Sequence, residues 1–356
     1  MARTLSLYVA RRFTATILSG FAIIFALIYT VDLVEMLRRT GDAPGANGAM
    51  LAYLSFLHTP IIAEQALPFA VLFGAMAAFL NLSRRLELIV ARAAGVSAWQ
   101  FLTPPILVVA LVGLVSIMLY NPLATAMKAR SDSLEAKLFG GAGASNSEIW
   151  LRQKSVDGQA VLHANAHDGA HLSGVEIYSF DAQGAFSERI DAVSAELNEG
   201  YWRLSDAHLI VPGAAPESHA LYDLATSLTP EELSQAFVSP DIVSFWRLPG
   251  LATQTERAGL NPTAYRLRYQ ELLARPLLLA AMVFIAACVS LRFFRMGGVE
   301  ATVAGGVFAG FVLYVGTKLV SELGGAGFLS APIAGWSPAV LGCLFGVYVL
   351  SHLEDG

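Results

Sequence analysis

Residues 81–101 read NLSRRLELIVARAAGVSAWQF and gather Arg84, Arg85, Glu87 and Arg92 ahead of the break Ala94-Gly95-Val96-Ser97. Cations around one carboxylate can pair with charges on a second protein, and apolar residues between them can enter a groove. Leu86, Ile89, Val90 and Ala93 recur at helical spacing, with the charges mostly on the other face. The pattern predicts a short amphipathic helix over about 83–97, stopped near Gly95. A plain surface helix with interfacial arginines is the alternative; the mixed charge favours docking.

A second set of charges borders or enters apolar runs, where ionisable groups are costly. Asp32, Glu35, Arg38 and Arg39 close the first run, Glu64 and Gln65 stand in the second, and Lys318 and Glu322 close the fifth. Taken singly, each reads as a side chain reaching to water at a membrane surface. Taken together, the bases suit a ligand with phosphates at that depth. His163, His167 and His171 recur in steps of four, which on a helix would invite a metal. They lie in a strand–turn region, where four residues span about 13 Å, so solvated loop histidines are the better reading. No G-x-x-x-x-G-K-[ST] occurs. The run Gly305-Gly306-Val-Phe-Ala-Gly310 lacks the lysine and reads as a small-residue helix contact. Cys288 and Cys343 both fall inside apolar runs and read as packed thiols. Nothing suggests nucleic-acid binding.

These groups need elements to hold them. Of 356 residues, 55% are hydrophobic and 14% charged, and mean hydropathy is +0.56. Soluble domains carry roughly 25% charged residues, so the chain belongs to the membrane class. Apolar runs cover about 13–34, 57–82, 101–120, 275–291, 299–320 and 333–350. The first is too long for the apolar core of a signal peptide, and no small-x-small cleavage site follows it. Net charge is −5 overall, whereas residues 122–263 hold 9 Lys+Arg against 18 Asp+Glu, leaving a basic remainder. Within that acidic stretch, short β-branched and aromatic segments alternate with pairs such as Asp157-Gly158 and Glu199-Gly200, which predicts an antiparallel sandwich or jelly roll. Five strands are expected, near 148–152, 160–163, 175–180, 190–197 and 201–211, followed by a helix opening at Thr229-Pro230. The fold class is therefore an α-helical membrane protein of six spans with an inserted antiparallel β domain. Its expected parts are residues 1–121, 122–263 and 264–356. Arg3, Arg11, Arg12, Arg84, Arg85, Arg92, Arg292 and Arg295 fall on one side of the membrane, against Arg38, Arg39 and Lys318 on the other. That bias predicts cytoplasmic termini and a periplasmic β domain.

The run Pro68-Phe-Ala-Val-Leu-Phe-Gly74, then Leu86-Glu-Leu-Ile-Val-Ala-Arg-Ala-Ala-Gly-Val-Ser97, resembles the LptF/LptG (YjgP/YjgQ) family, membrane subunits of the lipopolysaccharide-export ABC transporter. Ala192-Val-Ser-Ala195 with Trp202-Arg-Leu204, Tyr265-Arg-Leu-Arg268 with Pro276, Arg295-Met-Gly-Gly298, and Gly310-Phe-Val-Leu-Tyr314 fit the same family in order. Residues 240–265 and the Arg38-Arg39 pair are closer to the LptG branch. The resemblance implies a non-catalytic permease subunit paired with an LptF-like permease. An LptB-like ATPase dimer would bind ATP and Mg, with no cofactor in this chain. An LptC-like single-span protein and lipopolysaccharide would complete the assembly. Arg84, Arg85, Glu87, Arg92 and Gly95 would couple to the ATPase, and Arg38, Arg39, Glu35 and Lys318 would bind lipopolysaccharide. The family usually has Ser where Leu86 stands, so a helix cap is lost, for which Ser83 is the nearest substitute. Two other readings are a proton-coupled lipid carrier using Glu64, Asp32 and Glu35, and a membrane-anchored periplasmic sensor. The carrier needs acids at mid-membrane, and these are expected near span ends.

Overall fold

The computed structural model describes residues 3–40, 47–138, 149–155, 158–168, 171–181, 185–226, 229, 239–257, 261–293 and 299–354. The described chain forms two compact units, one of Met1–Asp132 with Leu267–Gly356 and the other of Ser133–Arg266. The expected helix opening after Thr229, from Pro230 on, and the Arg295–Gly298 segment lie outside the described residues.

The first unit is helical. It comprises α1 (Arg3–Thr40), α2 (Gly48–Arg84), the short α3 (Glu87–Ala93) and α4 (Ala98–Val115). A π-helical turn at Ser116–Tyr120 carries α4 into α5 (Asn121–Leu138). After the insert come α7 (Thr263–Phe293), α8 (Val299–Gly325) and α9 (Ala331–Glu354), with α6 (Leu248–Arg257) preceding them in the second unit. Among the described residues, six helices are long and apolar enough to cross a membrane. Several run past their apolar runs: span three does not stop at Tyr120 but continues through the π-turn as one rod. Pro122 has no N–H to give the ladder, and a wide turn just before it absorbs the irregularity.

Helix contacts are set by small residues. A Cβ on Gly74 of α2 would lie 2.7 Å from Ile17 Cα of α1, and one on Gly113 of α4 would lie 2.7 Å from Pro276 Cα of α7. Such backbone approach is how membrane helices gain packing where lipid is as apolar as leucine. The central cluster joins Val9, Phe13 and Ile17 of α1 to Phe79 and Leu82 of α2 and to Leu279, Met282 and Val283 of α7.

The second unit carries one six-stranded antiparallel sheet in the order β1-β2-β3-β4-β5-β6. Its strands are Ile149–Ser155, Gly158–Asp168, His171–Phe180, Phe186–Asn198, Tyr201–Ile210 and Glu217–Ala225. The five expected strands are present. The sixth was missed because Glu217–Ala225 is an almost wholly exposed edge with little apolar alternation. Pairing is antiparallel as expected, and the described strands follow one another as a meander. Leu162, Leu172, Ile177, Ile190, Trp202 and Leu204 alternate onto one face and form the core of this sheet among the described residues. The ladder skips Asn165, Gly174, Val193 and Asp206, which stand between the paired rows of β2–β5. Gly174 and Asp206 have left-handed backbone, at φ +61 and +55. A side chain at Gly174 would also strike Asn165 Nδ2 at 2.4 Å, so this row is where the sheet departs from a regular pleat.

On the outer face, Arg189 donates to Asp191 at 2.7 Å. Tyr178 donates to Glu176 at 2.9 Å, a bond that raises the phenol's pKa above its ordinary value. His163 faces Glu176 on β3 and stacks on Trp150 at 4.4 Å, while His171 lies 3.5 Å from Glu196 of β4. The three histidines are thus divided between β2 and β3.

Candidate functional site

The polar stretch 81–101 is a double elbow. Arg84 is the last residue of α2, and Arg85 with Leu86 makes the first bend. Leu86 has φ +59, a left-handed backbone that costs an L-residue about 1–2 kcal/mol. Its N–H donates to the Ser83 carbonyl at 3.0 Å, and its own carbonyl accepts the Val90 N–H at 3.0 Å. One residue therefore ends α2 and begins α3. No side chain caps α3, and the Ser83 hydroxyl, buried and without a hydrogen-bond partner, does not replace the missing cap. The second bend falls where expected. Gly95 has φ +83, its N–H reaches the Arg92 carbonyl at 2.9 Å, and the Val96 N–H reaches the Ala91 carbonyl at 3.1 Å. This is a Schellman closure, and it requires the glycine for its dihedral alone, since the space beside it is open. Ser97 then caps α4 by accepting the Gln100 N–H at 3.2 Å.

The helix is shorter than the expected 83–97, and its faces are reversed. Leu88 and Ala91 are buried, whereas Leu86, Ile89, Val90 and Ala93 are exposed. The sequence pattern picked out the wider apolar set, but the left-handed step at Leu86 turns α3 so that the narrower pair meets the core. Exposed together are Leu86, Ile89, Val90, Arg84, Arg85 and Arg92. Glu87 is half-buried and accepts a 2.9 Å hydrogen bond from Tyr8 of α1.

Antiparallel helix order places Arg38 and Arg39 at the end of the bundle opposite α3. Glu35 accepts Arg38 Nε at 2.9 Å and Arg39 Nε at 2.6 Å, on one exposed helical face. The group carries a net single positive charge, with most of both guanidiniums open to solvent. Asp32 is separate from it: its Oδ1 lies 2.9 Å from His58 Nδ1 of α2.

Glu64 is not a side chain reaching for water. It is 1% exposed, lies near the middle of α2, and pairs with Arg275 of α7, itself 8% exposed. Asn121 donates to both Glu64 oxygens at 3.1 Å, Arg275 also donates to Ser116 at 3.1 Å, and the Tyr120 hydroxyl donates to the Pro60 carbonyl at 3.0 Å. The π-turn supplies Ser116 and Tyr120, and Asn121 follows directly after it. A buried charge without a partner would be prohibitive here, and the network satisfies both charges. The mid-helix position of Glu64 also removes one reason given against a carrier, that the acids stand only at span ends.

A cleft of about 100 Å³ adjoins this network, lined by Glu64, Arg268, Glu271, Arg275, Tyr314 and Lys318 among others. Lys318 thus stands on the cleft wall with its side chain exposed, and Glu271 accepts a hydrogen bond from Ser321 of α8. The structure brings Lys318 together with Glu64, not with Arg38 and Arg39, which lie on α1. Arg275, Asn121 and Ser116 were not picked out from the sequence, and Arg268 only as part of the family run Tyr265-Arg-Leu-Arg268. The usable signal was Arg275 directly before Pro276 at the edge of an apolar run, a position where an arginine needs a partner.

Comparison with known proteins follows this geometry. The family model described as lipopolysaccharide export system permease LptF/LptG matches residues 7–352. The chain is similar to the lipopolysaccharide export system permease protein LptG of Escherichia coli K12, 23% identical over 326 residues, covering 89% of each chain. It is likewise similar to the protein of that name from Haemophilus influenzae Rd, 22% identical over 364 residues and all of both chains.

Proposed function

Because this chain belongs to the LptF/LptG permease family of the lipopolysaccharide export system, we propose that it is the LptG-type subunit that couples a partner's ATP hydrolysis to lipopolysaccharide extraction. The observation that carries this reading is the double elbow. It presents Leu86, Ile89 and Val90, ringed by Arg84, Arg85 and Arg92, at one end of a helical bundle whose sequence holds no nucleotide loop. An apolar knob with a basic rim, and the half-buried Glu87 beside it, suits a groove on an LptB-like ATPase dimer, which would carry ATP and Mg. Gly95 sets the exit angle of the knob. An LptF-like permease would complete the membrane pair. An LptC-like protein would extend the sheet by pairing at an open edge, β1 or β6. In this reading the protein is a multi-pass inner-membrane protein with cytoplasmic termini and a periplasmic sheet.

Arg38 and Arg39 are the residues proposed to meet lipid A phosphates. Guanidiniums match phosphate oxygens bidentately, and here Glu35 holds them side by side. Lys318 would add a point charge from the cleft. Glu87→Arg should abolish ATP-driven release of lipopolysaccharide while leaving the purified permease folded, measured in reconstituted proteoliposomes. Full release by that variant would sink the docking role. Neutralising Arg38 and Arg39 together should weaken lipopolysaccharide binding roughly 5- to 30-fold at low salt, with a smaller difference at high salt. Equal affinity at both salt concentrations counts against the phosphate role. A carrier reading, favoured only by the buried mid-helix Glu64, predicts that release continues when the partner ATPase is inactive.

A further inference from the structure

Glu87 has a partner within its own chain. Tyr8, two turns into α1, donates its hydroxyl to Glu87 Oε2 at 2.9 Å, across 79 positions of sequence. Beneath the bond, Val9 and Phe13 of α1 and Leu82 and Leu88 of the elbow are buried in one cluster, so the foot of α1 and α3 share a core. From that foot α1 runs unbroken for 38 residues, without proline, to Glu35, Arg38 and Arg39. At about 1.5 Å per residue it is a rod of roughly 57 Å. Its foot and one side are packed through Val9, Phe13 and Ile17, while only 6% of its most apolar window is buried. A carboxylate has about four acceptor sites, so Glu87 can keep Tyr8 on Oε2 while a cation occupies Oε1.

We propose that Tyr8 is a positioning residue of the coupling site. Its hydroxyl orients the Glu87 carboxylate toward the ATPase and ties the foot of α1 to any displacement of α3. The proposal rests on the docking role of Glu87. A cation that draws Glu87 along its own path draws Tyr8 with it, and α1 carries the movement to the end that bears Arg38 and Arg39. A helix without proline or a kink carries such a displacement along its length rather than absorbing it in a bend.

The test uses the whole complex with its ATPase in proteoliposomes, measuring ATP hydrolysed and lipopolysaccharide released in one sample. Tyr8→Phe keeps the ring and removes the donor. The expected result is unchanged assembly and unchanged lipopolysaccharide binding, with ATP consumed per lipopolysaccharide released rising roughly two- to tenfold. In a Glu87→Ala background, Tyr8→Phe should add nothing further. An unchanged ratio in Tyr8→Phe beside a raised ratio in Glu87→Ala overturns the role of Tyr8 and leaves docking intact. An unchanged ratio in both overturns the docking reading and this proposal with it. Lost assembly in Tyr8→Phe, or an additive effect in the double variant, also overturns it, because Tyr8 would then act elsewhere.

Discussion

Two pairs of spans in the helical unit have similarly apolar sequences and opposite surroundings. In α2 and α7, 67% and 72% of the most apolar window is buried, and they hold the Glu64–Arg275 pair and most of the central cluster. In α1 and α8 the corresponding shares are 6% and 11%. Both outer helices lean on α2: Ile17 of α1 packs at Gly74, and Gly306 and Gly310 of α8 pack at Met76 and Leu72. A buried ion pair makes the inner helices dependent on one another's position, because separating them strands two charges. Among the described residues the outer helices pack at small residues and add the Asp32–His58 contact on α1 and the Ser321–Glu271 bond on α8, but they share no ion pair as buried as Glu64–Arg275. Inner spans tied by a buried ion pair, flanked by outer ones whose apolar windows are mostly unburied, suit a transporter that must admit and expel a bulky lipid.

The contrast can be broken by substitution, and the largest effect is expected at the ion pair. Glu64→Ala leaves Arg275 uncompensated and should cost about 3–5 kcal/mol of folding stability, read by equilibrium unfolding in detergent. Glu64→Leu combined with Arg275→Met should recover most of that loss. If the single variant is as stable as the parent, the inner pair is not the anchor described here. Gly74→Ala comes next. Its Cβ would meet the Ile17 backbone at 2.7 Å, so α1 must shift, at about 1–3 kcal/mol. Gly306→Ala should cost less than about 1 kcal/mol, because its clash is with Met76 Cε and Sδ, the far end of a flexible side chain. Smallest of all, Leu27→Ala on the exposed face of α1 should change folding stability by less than about 0.5 kcal/mol. A cost at Leu27 equal to that at Glu64 would erase the distinction between inner and outer helices.

The spans, the acidic β-rich insert and the stop at Gly95 were legible because each is written in neighbouring residues. Hydropathy over about 20 positions marks a span, alternation marks a strand, and a glycine after a helical pattern marks its end. The edge strand β6 was illegible because its side chains are mostly in solvent and only Tyr222 and Leu224 alternate onto the core. The buried face of α3 was misjudged for a different reason. Periodicity shows which residues share a face, but the left-handed step at Leu86 decides where that face points, and nothing about a leucine announces positive φ.

By itself the sequence determined the class of the protein, its division into spans and insert, the family it resembles, and the charged stretch between the second and third spans. Only the tertiary structure decided which of those charges have partners. Glu64 and Arg275 are 211 positions apart, and Tyr8 and Glu87 are 79 apart. Local patterns register what each segment prefers. A charge buried among helices is tolerated only where packing brings its counter-charge within reach, and that is settled by the approach of α2, α7 and the π-turn.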